Sequence, residues 1–410
     1  AQICQGKTII NNFLTSEDCL NTVKALVSMG ATAKYQDESL ELVGGNWEEP
    51  KEILDLGNSG TSIRLLSGLI AGKAGWQVTM TGDSSLRKRP MKRIKEPLEL
   101  MGAKIDLLGD ALTPPIKITG ANLKAINYIS PVASAQVKSC VLLAALFAEG
   151  KTTYHEKFNT RNHTELIFKE LGLPIELNST KITIEGFGAK GPSLKAREWK
   201  VPGDFSSAAF WIIAGLIVKR SHIIIKEVGL NPMRTALLDV LASAHANINI
   251  KQYEDSMYSE PTGEIEVKSS ELEAFNIGGA QIPNLIDEIP ILSVAATAAN
   301  GISTIKDATE LRIKESDRIT SMVKNLSVFG FEVEELADGM IIKGKDTKET
   351  REVELDCFYD HRIAMSMAIL ALAGKAPVTI KNVECVDTSY PSFWDDLRRL
   401  GGNVLLHYSN

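Results

Sequence analysis

Leu98–Leu107, LELMGAKIDL, reads as the end of one helix and the start of one strand. Apolar positions at helical spacing stop at Met101, a glycine follows, and the residues after it alternate as a half-buried strand does. Glycine at that point fits a left-handed helix C-cap. The signature recurs along the chain. It reads LVSMGATAKY around Gly30, FKELGLPIEL around Gly172, and LASAHANINI, degraded, around His245. It returns as LSVFGFEVEE around Gly330 and LRRLGGNVLL around Gly401. The spacing is about 70 to 85 residues, long enough for a supersecondary unit.

A second signature is interleaved with the first: a small-residue apolar helix, a turn, then a strand. It reads SIRLLSGLIAGKAGWQVTM, AQVKSCVLLAALFAEGKTTYH and SSAAFWIIAGLIVKRSHIII. Two more copies are IPILSVAATAANGISTI and RIAMSMAILALAGKAPVTI. These helices are apolar nearly all round, which predicts burial. Six units mixing helices and strands give an α/β protein built by repetition, three units per domain, with residues 1–201 as one domain and 202–410 as the other. The opening AQICQGKTII resembles the tail of a further such helix, so the expectation is that roughly 20 to 30 residues of the first unit's head lie outside this sequence.

The chain has 410 residues, 44% hydrophobic and 23% charged, with formal charge −6. That is an ordinary globular balance, and it disfavours broad nucleic-acid binding. No apolar run reaches the roughly 18 residues of a membrane helix. Cys4, Cys19, Cys140, Cys357 and Cys385 are scattered and odd in number, which argues for a reducing, cytoplasmic setting and against a disulfide framework or structural zinc. Gly150-Lys151-Thr152 resembles the end of a P-loop, but Ala145 stands where the glycine is required.

Each apolar helix starts with polar residues: Asn58-Ser59-Gly60-Thr61, Ser134-Ala135-Gln136, Asp204-Phe205-Ser206-Ser207, Asp287-Glu288 and Asp360-His361-Arg362. N-capping explains Asp204 and Ser206 well, and Gln136 and Arg362 poorly. Parallel helices would gather positive dipole ends on one face of each domain. The run GDSSLRKRPMKR, Gly82–Arg93, is a cationic spot in an acidic chain, open to reading as an anion pocket or as a solvated loop. In ELRIKESDR, 310–318, helical spacing would let Lys314 and Arg318 grip one anion, with Glu315 beside them as a proton carrier; the alternative is a surface salt-bridge helix. Asp287, among apolar residues, is either a cap or a functional acid of raised pKa. Arg161 either caps the helix after it or binds an anion.

GNSGTSIR at 57–64, GDSSLRKRPM at 82–91, ASAQVKS at 133–139, PGDFSSAAF at 202–210, LRIKESDR at 311–318, DHRIAM at 360–365 and TSYPSF at 388–393 together resemble the 5-enolpyruvylshikimate-3-phosphate (EPSP) synthase family. The resemblance spans nearly the whole chain in family order. It implies an inverse α/β fold of two domains, each of three βαβαββ-type units, with the active site in the cleft between domains. It implies transfer of the enolpyruvyl group of phosphoenolpyruvate to the 5-hydroxyl of shikimate 3-phosphate by addition and elimination, without metal or organic cofactor. Gly60, Arg89, Gln136, Arg318 and Arg362 are then expected to hold phosphoenolpyruvate. Ser134, Gln136, Arg161, Asp287 and Lys314 are expected to hold shikimate 3-phosphate. Asp287 would take the hydroxyl proton and Glu315 would serve the methylene carbon. A monomer is expected, as is glyphosate inhibition, because position 60 is Gly. The family's N-terminal P-G-D-K-S-x-S-x-R stretch is not in this sequence, so the chain as written is expected to turn over little or nothing, or only to bind substrate. UDP-N-acetylglucosamine enolpyruvyl transferases share fold and donor, but they carry a reactive cysteine where Ser84 and Ser85 stand.

Overall fold

Six backbone positions carry the repeat. Gly30, Gly102, Gly172, His245, Gly330 and Gly401 all have positive φ, between 61° and 114°. Each follows a helix: Glu17–Ser28, Lys92–Met101, His163–Glu170, Ala236–Ser243, Arg318–Phe329 and Phe393–Arg399. An L-residue resists this conformation and glycine does not, so the chain turns from helix to strand at a point the sequence marks. The computed structural model describes residues 1–254, 260–344, 352–374 and 376–407.

The expected strand follows the first five junctions, at Thr32–Gln36, Lys104–Leu107, Ile175–Asn178, Asn247–Gln252 and Glu332–Leu336. After Gly401 it does not form, which corrects the sequence-based expectation there. Elsewhere this strand forms an antiparallel pair with the strand after it, as Lys104–Leu107 does with Ile116–Thr119. No such partner follows residue 401 among the described residues. The last sheet there is one parallel pair, Val353–Asp356 with Val378–Lys381.

Three units share one complete design. Leu54–Asp55 lies parallel to Gln77–Thr81; Ile116–Thr119 is antiparallel to that strand and to Lys104–Leu107. The same order joins Asn127–Ile129, Lys151–His155, Lys181–Glu185 and Ile175–Asn178. It recurs in Asn276–Ile277, Ile302–Ile305, Gly339–Lys343 and Glu332–Leu336. In chain order each is βαβαββ, the repeat expected from sequence. Two units vary it. Cys4–Asn11 takes Glu198–Lys200 as its parallel neighbour, and beside His222–Gly229 the parallel strand shrinks to a Gly203–Val228 bridge.

The apolar helices Gly60–Ala71, Ala135–Ala145, Phe205–Ile217, Ile289–Ala298 and His361–Ala373 are buried along most of their lengths, as their composition requires. The chain divides after Val201 into two compact units, a short segment ending at Glu260 counting with the first. In the first unit, the Gly60–Ala71 and Ala135–Ala145 helices pack tightly: a Cβ on Gly68 would sit 2.1 Å from the Cys140 carbonyl oxygen. In the second, Phe205–Ile217, Ile289–Ala298 and His361–Ala373 share one apolar cluster. No described helix is long and apolar enough to cross a membrane.

His245 is exposed at φ 61°, where the other junctions hold glycine. His245→Gly relieves that strain, and we expect a melting temperature raised by roughly 2 °C. Gly330→Ala, at φ 101°, should lower it by a similar amount or more. Thermal unfolding of both variants tests this, and equal melting temperatures would contradict it.

Candidate active-site residues in each unit

Two buried helices of the first unit begin with serine caps. Ser59 Oγ accepts from the Ser62 amide at 3.2 Å, and Ser134 Oγ accepts from the Val137 amide at 3.4 Å. Gln136 bridges the two helix starts. Its Oε1 accepts from Arg64 Nη1, and its Nε2 donates to Thr61 Oγ1 at 2.8 Å. Capping therefore does not account for Gln136, as its sequence position suggested.

Within the basic run, burial separates one arginine from its neighbours. Arg87, Lys88 and Lys92 are exposed, whereas Arg89 is 7% exposed. Arg89 donates to Asn58 Oδ1 and, at 3.3 Å, to Ser85 Oγ; Asn58 in turn donates to Asp83 at 2.7 Å. The guanidinium is thus aimed by Asn58, ahead of the Gly60 helix, and by Ser85 in its own loop. A Cβ at Gly60 would stand 2.9 Å from Arg89 Nη1 and 3.0 Å from Arg64 Nη1. Glycine there leaves room for both cations beside a helix N-terminus. Arg161 lies half-buried ahead of helix His163–Glu170; the cap position is Asn162, so capping is not its role.

The second unit gathers charge around one carboxylate. Asp287 precedes helix Ile289–Ala298, which has no side-chain cap, so the capping alternative does not hold. Its side chain is 10% exposed, and Oδ1 lies 3.7 Å from Lys314 Nζ, 3.7 Å from Arg318 Nη1 and 3.9 Å from Arg362 Nε. Arg362 Nη1 also donates to the Asp287 carbonyl at 3.0 Å. On the other side, Oδ2 faces Arg234 Nη1 at 3.8 Å. Arg234 carries no signal in the sequence. It sits in NPMRTALLD with no helical or motif spacing to the other cations, and only folding brings it near.

The helical premise for Lys314 and Arg318 fails. A short 3-10 helix, Thr309–Ile313, ends before Lys314, and the next helix begins at Arg318 with Asp317 as its cap, accepting from Thr320 N at 3.1 Å. The two cations converge through the bend between those helices, not through one helical face.

Arg318 is 1% exposed and well partnered. Its Nε donates to Asp360 Oδ2 at 2.8 Å and its Nη2 to Glu315 Oε2 at 2.5 Å. Burial alone would lower its pKa, but Asp360 and Glu315 outweigh that and raise it. Burial likewise works to raise the Asp360 carboxyl, and Arg318 overcomes it, leaving the pKa lowered. Glu288 is different: burial pushes its carboxyl up despite Arg234, and Asp287 adds to the rise.

His361 follows Asp360 and is pushed down to about 4, chiefly by burial, with Asp360 and Glu315 opposing. It is therefore neutral at pH 7. Its folded pKa lies below its unfolded value, so the unfolded chain binds the proton more readily, and stability falls as pH drops from about 6.5 towards 4. Between pH 7 and pH 5 this one group should cost about 2 kcal/mol of stability. Urea unfolding of His361→Gln at both pH values should show a shallower loss than the parent chain; identical losses would contradict the assignment.

Comparison with known proteins agrees with this architecture. The family model for EPSP synthase (3-phosphoshikimate 1-carboxyvinyltransferase) matches residues 1–397. The 3-phosphoshikimate 1-carboxyvinyltransferase of Bacillus licheniformis is 43% identical over 401 residues, covering 97% of this chain and 92% of that protein. A solved EPSP synthase from Acinetobacter baumannii superposes with a TM-score of 0.84 at 37% identity, covering 99% of this chain and 93% of the other. The enolpyruvyl transferase NikO from Streptomyces tendae, at 16% identity and a TM-score of 0.78 over 98% of this chain and 91% of its own, shares the fold. The chain belongs to the EPSP synthase family.

Proposed function

We propose that this chain divides the handling of phosphoenolpyruvate and shikimate 3-phosphate between its two clusters of charge. The family's reaction is the transfer of the enolpyruvyl group from the first to the second, in the shikimate pathway of aromatic amino acid biosynthesis. The observation that carries the residue assignment is the convergence of Lys314 and Arg318 from one bend, and Arg362 from another helix start, on Asp287 Oδ1, all within 4 Å. Such a cluster suits substrates that bring carboxylate and phosphate groups.

In this reading Arg318 and Arg362 hold phosphoenolpyruvate, together with Arg89, Gln136 and the close backbone at Gly60. Ser134, Gln136, Arg161 and Lys314 hold shikimate 3-phosphate. Asp287 takes the proton from the 5-hydroxyl as that oxygen bonds to C2 of phosphoenolpyruvate. Glu315 gives a proton to the methylene carbon, completing a tetrahedral intermediate. Elimination then breaks the bond from C2 to the phosphate oxygen, phosphate leaves, and a methyl proton returns to the protein as the enol double bond re-forms. Catalysis of this kind draws on positioning and preorganised charge. Free cysteines throughout the described chain fit a reducing cytoplasm, and a monomer is expected.

Asp287→Asn keeps the side chain's shape and removes the base. Measured in a form of the protein that turns over, kcat should fall at least a hundredfold while shikimate 3-phosphate still binds. Retained turnover would overturn the assignment of Asp287. Gly60→Ala should press on Arg89 and Arg64 and raise the KM for phosphoenolpyruvate several-fold, with glyphosate inhibition weakened in parallel. Steady-state kinetics with both ligands decides this, and unchanged constants would remove Gly60 and Arg89 from the donor site.

A further inference from the structure

Lys138 is the most deeply buried lysine side chain beside the first unit's candidate residues, at 1% exposure. Its ammonium has three N–H donors, and acceptors from three residues surround it, both Glu156 carboxylate oxygens among them. Nζ lies 2.7 Å from Glu165 Oε1 and 3.2 Å from Glu156 Oε2, and donates to the Thr160 carbonyl at 3.2 Å. Thr160 Oγ1 donates to Glu156 Oε2 at 2.6 Å, which closes the ring. A second tie runs alongside, between Ser139 Oγ and Thr164 Oγ1 at 2.7 Å.

The two glutamates and Thr160 bracket Arg161. The segment from Glu156 to Asn162 has no regular structure, and Arg161 lies within it. Lys138 lies on the helix that Ser134 caps, one turn on, its amide donating to the Ser134 carbonyl at 3.1 Å. One buried side chain therefore joins the loop bearing Arg161 to the helix start bearing Ser134 and Gln136.

Stability does not explain this arrangement. A lysine between two carboxylates, all under 5% exposed, carries a large desolvation cost, and apolar or neutral replacements of such clusters are often neutral or stabilising. Burial raises the Glu165 carboxyl's pKa even against Lys138, and its Oε2 has no hydrogen-bond partner. What the cluster does supply is direction: ties that fix the loop at 156–162, and the helix after it, against the helix bearing Lys138.

We propose that Lys138 is a positioning residue for the acceptor substrate, holding Arg161 in register with Ser134 and Gln136. The substrate part rests on the assignment of shikimate 3-phosphate to those residues; the positioning part does not. The test compares the full chain with Lys138→Met/Glu156→Gln/Glu165→Gln, which removes the charges together. Glu156→Gln alone is a milder second variant that keeps an amide in place of the carboxylate. Hydrogen exchange should become at least tenfold faster at residues 157–162 in the triple variant, with the circular dichroism unchanged. Calorimetry should show at least tenfold weaker binding of shikimate 3-phosphate. Arg161→Ala should cost less affinity in the triple variant than in the parent chain, because the arginine is already out of register. Unchanged exchange in the loop overturns the proposal whatever the ligand result. A loosened loop with unchanged affinity overturns its link to the substrate. Absence of shikimate 3-phosphate binding by the parent chain refutes the substrate assignment instead, and exchange still decides the role of Lys138.

Discussion

A helix that is apolar on every side can meet water, or a ligand, only at its ends. That constraint organises both units. The Gly60–Ala71, Ala135–Ala145, Phe205–Ile217, Ile289–Ala298 and His361–Ala373 helices are sunk in apolar clusters, so their polar starts are where chemistry can be placed. Each N-terminus also offers unpaired amides and a positive dipole end. Repetition multiplies the effect. One βαβαββ design, copied with small changes, delivers several such helix starts, and the left-handed junctions keep each copy's second helix and strand in the same relation.

The two units use these starts differently. In the first, the polar groups are mostly neutral donors and acceptors: Ser59 and Ser134 cap their helices, while Gln136 and Asn58 accept from two arginines, Arg64 and Arg89. In the second, charge meets charge. Asp287, Glu315 and Asp360 stand among Lys314, Arg318, Arg362 and Arg234. Stripping Arg318 of its carboxylates would leave an unpaired cation at 1% exposure, a cost of several kcal/mol. The carboxylates are what let the cations be buried at all.

Much of the fold could be read from the residues because its signals are local. A glycine after a helical run, followed by alternation, marks a junction whatever lies elsewhere. Even His245 keeps its left-handed backbone without the glycine that usually permits it. The last strand could not be judged in this way, because a strand forms only when a neighbour accepts its ladder, and LRRLGGNVLL carries no information about that neighbour. The site divides on the same line. Gln136 and Arg362 stood out because they are poor caps at a cap position. Arg89 could not be told from Arg87 and Lys88 until burial separated them. Arg234 gave no sequence signal, and Glu288 and Lys138 stood in quoted runs with nothing to mark them individually. Their partners are tens of residues away, as with Ser206 and Glu288, or sit on a helix whose composition already explained them as core.

The arrangement around Asp287 bears on how one carboxylate can hold several cations together and still serve the role proposed for it. Cations that face each other need an anion between them. In the structure, Asp287 Oδ1 stands within 4 Å of the three side chains assigned here to substrate anions. Three positive neighbours attract a charged carboxylate at this position. Substrates bringing their own carboxylate and phosphate would compete for those cations. Each cation drawn to a substrate weakens the hold on the Asp287 anion. Arg234 is on the other side, engaging Oδ2 while tied to Glu288 and Asp204, and it would keep the carboxylate in place as the exchange proceeds. The ion pairs at Asp287 and any grip on substrate anions therefore draw on the same cations.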